Sequence, residues 1–139
     1  MMEAHSPTAR ADVDIAADID EIILRYPPLV HDRSHLRVSV SDGVATVAGH
    51  VRSLNTRDYF LQALAGVDGL KSVDTDYLHI DELVRLALGR VLPLGVIANV
   101  EYGTVVLSGR LPDGLSEDDV VARAGGVPGV RRVVVAFRD

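Results

Sequence analysis

The sequence predicts an α+β protein built from two tandem αββαβ modules, and three observations carry that prediction. A shift of 60 residues places Gly43 on Gly103, Gly49 on Gly109, Gly66 on Gly126 and Gly69 on Gly129 without a gap. The apolar positions keep the same register: Val38, Val40, Val47, Val51, Val67, Leu70, Val73 and Tyr77 fall on Ala98, Val100, Leu107, Leu111, Val127, Val130, Val133 and Phe137. Helical and strand periodicities then alternate in one order in both copies.

In the first copy Ile15, Ile19, Ile22, Ile23 and Tyr26 recur at helical spacing, and Pro27-Pro28 ends the run. Leu36, Val38 and Val40 alternate with polar residues, Asp42-Gly43 supplies a turn, and Val44 to Val51 completes a hairpin. Ser53 or Asn55 caps a second helix whose apolar positions are Tyr59, Phe60, Ala63 and Leu64, and Ser72 to Leu78 forms the last strand. The second copy opens a helix at Asp81 that runs to about Val91. A hairpin of Val96 to Val100 and Thr104 to Leu111 comes next, then a capping box of Ser116 with Asp119, and Arg131 to Phe137 closes the chain as a strand. Upstream, Ile19-Asp20-Glu21-Ile22-Ile23 matches Ile80-Asp81-Glu82-Leu83-Val84 at a shift of 61, which implies one residue lost from the link after the helix. The expected division is a flexible segment over 1–14, a first module over 15–80 and a second over 81–139.

The eight repeated glycines are read as structural. Gly43 and Gly103 take positive φ in the hairpin turns. Gly66 and Gly126 are expected to end helices in the left-handed conformation, and Gly49 and Gly109 to admit the close approach of a helix. Gly69 and Gly129 lead into the last strand of each copy.

The strand pair Val38-Ser39-Val40-Ser41-Asp42-Gly43-Val44-Ala45-Thr46-Val47-Ala48-Gly49-His50-Val51 resembles the BON domain, the bacterial OsmY and nodulation domain family. So does the later Val67-Asp68-Gly69-Leu70-Lys71-Ser72-Val73. The second copy carries both patterns, from Ala98 to Leu111 and from Val127 to Val133. It departs at Ala98 and Thr104, where larger apolar side chains are usual, and in its short helix-to-strand link. The resemblance implies a three-stranded mixed sheet backed on one face by two helices. It also implies a non-catalytic module that binds phospholipid or a partner protein in a stress or envelope-related role. A cytoplasmic small-ligand or potassium sensor is the alternative it leaves open.

Composition limits the partners. The 139 residues include 14 basic against 20 acidic, a formal charge of -6, so the summed field repels phosphate backbones and anionic head groups at long range. No nucleic-acid partner is expected. The chain has no cysteine, which excludes disulfides and thiolate chemistry. Met1 to Asp14 lacks the apolar run of a secretory signal, so the expected location is the cytoplasm, with the periplasm requiring a different start. The stretch from Leu83 to Val100 is interrupted by Arg85, Arg90, Pro93, Gly95 and Asn99, so no membrane span is expected.

No catalytic residue, metal site or cofactor is assigned. His31 and His35 have the four-residue spacing of a helical metal pair but sit in a segment that reads as a loop, with no third ligand. His50 and His79 occupy strand positions facing away from the predicted core and are expected to be exposed. Asp12, Asp14, Asp18 and Asp20 form an acidic run suited to a helix N-terminus. Arg52, Arg57, Lys71, Arg131 and Arg132 are the candidate basic patch.

The strongest functional feature is a sheet face. If Val105, Leu107 and Leu111 point to the helices with Val133, Val135 and Phe137, then Ile97, Val106, Val134 and Ala136 point the other way. The matching positions of the first copy, Arg37, Thr46, Asp74 and Asp76, are polar. An apolar outer face is the candidate contact surface, packing on the first copy, on another copy of the chain or on a protein partner.

Overall fold

A computed structural model of the chain describes residues 10–138. They form two compact units, one running up to Val51 together with Asn55–Leu78, the other Arg52–Leu54 with the residues from His79 on. The architecture is α+β, with five α-helices and two mixed sheets among the described residues.

In the first unit, α1 (Asp12–Arg25) buries Ile15, Ile19 and Ile23, one apolar stripe at four-residue spacing. Pro27-Pro28 ends it and at once starts α2 (Pro27–Asp32), because proline at the first helical positions sacrifices no needed N–H. A 3-10 turn (Arg33–His35) leads into β1 (Leu36–Ser41), which pairs antiparallel with β2 (Val44–Val51). Next come α3 (Leu54–Leu64), β3 (Ser72–Asp74) and, across the boundary of the unit, β4 (Leu78–Ile80); in the sheet β3 runs parallel to β2, and β4 also pairs with β2. Ala45, Val47, Phe60 and Leu64 are, like the α1 stripe, buried. Tyr59, expected in that core, is partly exposed, and its ring stacks on Tyr26 with centroids 3.7 Å apart.

The second unit repeats the order with α4 (Asp81–Val91), β5 (Val96–Glu101), β6 (Thr104–Arg110), α5 (Glu117–Gly125) and β7 (Arg132–Arg138). Here the sheet order is β5-β6-β7, antiparallel then parallel. Its core is Val84, Leu88, Val105, Leu107, Val120, Ala124 and Val127. The capping box of α5 is present: Ser116 Oγ accepts from the Asp119 N–H at 3.1 Å, and the Asp119 carboxylate accepts from the Ser116 N–H at 3.1 Å.

The structure corrects several sequence expectations. α1 begins at Asp12, three residues before the boundary drawn at Ile15; of the segment 1–14, residues 1–9 lie outside the described residues. His31 and His35 sit on α2 and in the 3-10 turn, not in an irregular loop. The first copy's last strand does not run through Ser72 to Leu78. It breaks after Asp74, where the Asp74 carboxylate accepts from the Asp76 N–H at 2.9 Å and the Leu78 N–H donates to the Thr75 carbonyl at 3.0 Å. Gly126 ends α5 with φ −80°, and Gly66 is not left-handed either: their N–H groups bond carbonyls of the preceding turn without a left-handed residue. His50 is buried, because β2 at that end lies beside β4. His79 is half-buried, its ring against Gly129.

The register of the first helix is the largest correction. Gly69 faces Arg10 and Ile15, whereas Gly129 faces His79 and Val84. The helices therefore correspond at a shift of 69 while the later strands keep 60, so the first copy carries nine extra residues, α2 and the 3-10 turn, rather than one. The error has a physical origin. An eight-residue slip is two steps of a stripe that repeats every four residues, as Ile15, Ile19 and Ile23 do, so apolar residues still fall on apolar residues.

Close backbone approach explains Gly49 and Gly109, but the approaching group is a carbonyl at the start of the hairpin and not a helix. A Cβ on Gly109 would lie 2.2 Å from the Gly95 carbonyl oxygen, and one on Gly49 2.0 Å from that of His35. No rotamer relieves such an overlap. Gly109→Ala should therefore destabilise the chain by more than about 1 kcal/mol and more than Gly114→Ala, where φ is also positive but nothing lies within 4 Å of the added Cβ. Urea midpoints of the two variants check the order.

Hydrogen bonds from the Ser116 backbone and then its hydroxyl hold the Asp119 carboxyl below the usual aspartate range. The sign comes from linkage: the cap's contribution is complete above about pH 4 and is lost as pH falls through the depressed folded value. Ser116→Ala should shrink that acid-side loss in a thermal-melt series across pH.

Candidate interaction surface

The surface is built outward from the hairpin turn. Asp42 and Gly43 have φ 51° and 77°, Tyr102 and Gly103 φ 48° and 80°, so both turns have the two left-handed central residues of the type I′ hairpin. A tyrosine there is costly unless something holds it. Asp81, the first residue of α4 and 2% exposed, accepts from the Tyr102 N–H at 2.7 Å and the Gly103 N–H at 3.2 Å. Asp12, the first residue of α1, does the same for Asp42 and Gly43 at 2.8 and 3.0 Å. The other members of the acidic run are used separately: Asp18 pairs with Arg10 at 2.6 Å and Asp20 with Arg33 at 3.2 Å. The Arg10 hydrogen bond holds the Asp18 carboxyl below its ordinary value.

With the turn held, the β5-β6-β7 register decides which side chains share a face. Val106 stands opposite Val134 and Asn99, and Ser108 opposite Ala136 and Ile97. The four expected face residues thus lie together on the side away from Val105 and Leu107, with Ile97 55% exposed and Ala136 also exposed. On the helix side Val133 and Phe137 pack against the core, while Val135 is 37% exposed.

The candidate basic patch is not gathered in one unit. Arg57 and Lys71 belong to the first, where Arg57 pairs with Asp58 at 2.6 Å and the Lys71 N–H bonds the Gly43 carbonyl. Arg52, Arg131 and Arg132 belong to the second. What sequence reasoning missed is the rim of the apolar face. Arg132 and Arg138 alternate with Val134 and Ala136 on β7, and Arg110 lies opposite Arg138, so three guanidinium groups bracket the apolar centre against a single carboxylate, Glu101. The even spacing along β7 was the available signal. Among the described residues none of the three arginines forms an ion pair, whereas four ion pairs are formed within the first unit.

The first sheet's open face is polar, with Ser39 and Asp74 opposite Thr46 and Arg37 opposite Ala48. A shallow depression of about 640 Å³ over it is lined by Leu36, Arg37, Val38, Ser39, Thr46 and Ala48, a set with no base beside a nucleophile. No group of three His, Asp or Glu residues able to hold a metal occurs among the described residues, and none of their helices is long and apolar enough to cross a membrane.

Comparison with known families agrees with this architecture. The BON domain model matches residues 11–82, and the chain belongs to the BON domain family. No protein of curated function matches it. Among solved structures it is similar to CdsD, a structural protein of the type III secretion system of Chlamydia trachomatis, at 15% identity and TM-score 0.38 over 89% of this chain and 91% of that one. The C-terminal domain of CdsD matches at 16% identity and TM-score 0.38, over 94% of this chain and 100% of that one.

Asp81 offers a direct test of the turn. Asp81→Ala leaves two buried N–H groups without their acceptor and should cost about 2 to 4 kcal/mol. Asp12→Ala, at a more solvated site, should cost less. Denaturant unfolding of both variants gives the comparison.

Proposed function

We propose that the chain is a tandem pair of BON modules acting as a non-catalytic interaction protein, and that the open face of the second sheet contacts a protein partner. One observation carries the reading: Ile97, Val106, Val134 and Ala136 form an apolar centre on a face that the helices do not cover. Antiparallel sheets tolerate one solvated face, but that face is then normally polar, as it is in the first unit. Exposed apolar side chains with only Asn99 and Ser108 among them and charge at both ends of the face resemble the anatomy of a protein contact, an apolar core inside a polar rim. The second unit's membership in the family rests on its repeated element order and its repeated carboxylate-to-turn hydrogen bonds.

The Val106→Lys, Val134→Lys double variant places two charges in the centre of the patch. It should keep its fold, since both side chains are partly exposed, and should lose capture of partners that the wild-type chain retains. Arg37→Glu, on the first sheet, should leave capture unchanged. Equal capture by wild type and double variant sinks the reading. The three arginines also suit a lipid head group. Co-sedimentation with anionic vesicles that Arg110→Glu and Arg138→Glu abolish would assign the face to membrane instead, and calorimetry with potassium chloride tests the cation-sensing alternative.

A further inference from the structure

The two sheets treat the edge beside their last strand differently. In the first sheet that edge is two three-residue strands, β3 and β4, separated by a turn that Asp74 closes. Breaks and charges of this kind are how sheets prevent further strands from adding. In the second unit the same edge is one continuous strand, β7, paired with β6 at all seven positions from Arg132 to Arg138. Residues 133–137 are Val-Val-Val-Ala-Phe, with no proline, glycine or charge to interrupt them. Among the described residues the sheet order β5-β6-β7 places no strand on its far side, and β6 is the strand with which residues 133–138 pair.

Charge decides what can occupy such an edge. Antiparallel pairing with a second copy centred on Val135 would set Arg132 opposite Arg138 twice, and in-register parallel pairing would set each arginine beside its own equivalent. Like charges directly opposite destabilise a strand pair, so the arginines act against self-association. The same two residues, six positions and about 20 Å apart along a strand, favour a segment carrying carboxylates at that separation.

We propose that β7 is a strand-addition site for an extended segment of a protein partner, uncharged across five residues and acidic at both ends. Main-chain hydrogen bonds to the free edge hold the segment, and the Arg132 and Arg138 guanidinium groups fix its register. The net charge of -6 does not oppose this, because at ordinary salt charge acts over about 10 Å and residues 131–139 carry three arginines against one aspartate. The inference rests on the second unit being the interaction module but uses its edge rather than the centre of its face.

The test uses the full chain, isotopically labelled, and two synthetic probes, Asp-Thr-Val-Thr-Val-Thr-Asp and the same peptide with lysine ends. The aspartate peptide should shift and protect the amides of residues 132–138 and bind about tenfold more tightly than the lysine peptide. Arg132→Glu with Arg138→Glu should reverse that preference. Shifts that map elsewhere, equal binding of the two peptides, a preference unchanged by the charge swap, or no response at millimolar peptide each overturn the proposal. So does a β7-dependent dimer in sedimentation of the chain alone, which would make a second copy the occupant. The two readings separate cleanly: Val106→Lys with Val134→Lys reports on the face through partner capture, and the peptides report on the edge.

Discussion

A single carboxylate at the start of each unit's first helix organises the hairpin and the closing strand of that unit. Asp81 accepts both amides of the Tyr102-Gly103 turn, and Asp12 both amides of Asp42-Gly43. The carbonyl on the far side of each turn then accepts the first amide leading to the last strand, Lys71 to Gly43 and Arg131 to Gly103, each at 2.8 Å. Helix, hairpin and closing strand thus meet at one turn of two left-handed residues. Buried amides without acceptors would cost more than the turn geometry itself, which is why a bulky tyrosine can remain at φ 48°.

On this shared frame the two units have diverged in opposite directions. The first inserts α2 and the 3-10 turn, forms ion pairs on its surface, interrupts its edge strand and keeps a polar open face. The second has a direct helix-to-strand link, a continuous edge, an apolar open face and three arginines around it without carboxylate partners among the described residues. Water satisfies the exposed guanidinium groups, but it gains nothing from the apolar side chains between them. The proposed interaction role falls on the second unit for this reason, its open face being apolar where that of the first is polar.

Much of this was legible before any coordinates. The 60-residue register of the strands, the element order, the hairpin turn at Asp42-Gly43 and the Ser116 capping box are local properties, set by glycine conformations, strand alternation and side chains that reach their own backbone. The apolar face was legible too, since strand alternation places Val106, Val134 and Ala136 on one side whatever the units pack against.

What only the tertiary structure decided are relations between segments distant in sequence. The 61-residue helix match failed because a stripe repeating every four residues looks alike after two repeats, and the contacts of Gly69 and Gly129, with the turn bonds of Asp12 and Asp81, reveal the true shift. Asp12 read as one more charge at a helix start until its carboxylate met a turn thirty residues away. His50 kept the strand parity of an exposed residue yet is buried, and Gly66 and Gly126 ended helices without left-handed geometry. The arginine rim joined Arg110 to Arg132 and Arg138 only when β6 and β7 came into register. Periodicity reports which side of its own element a residue occupies, and pairing between elements decides what that side meets.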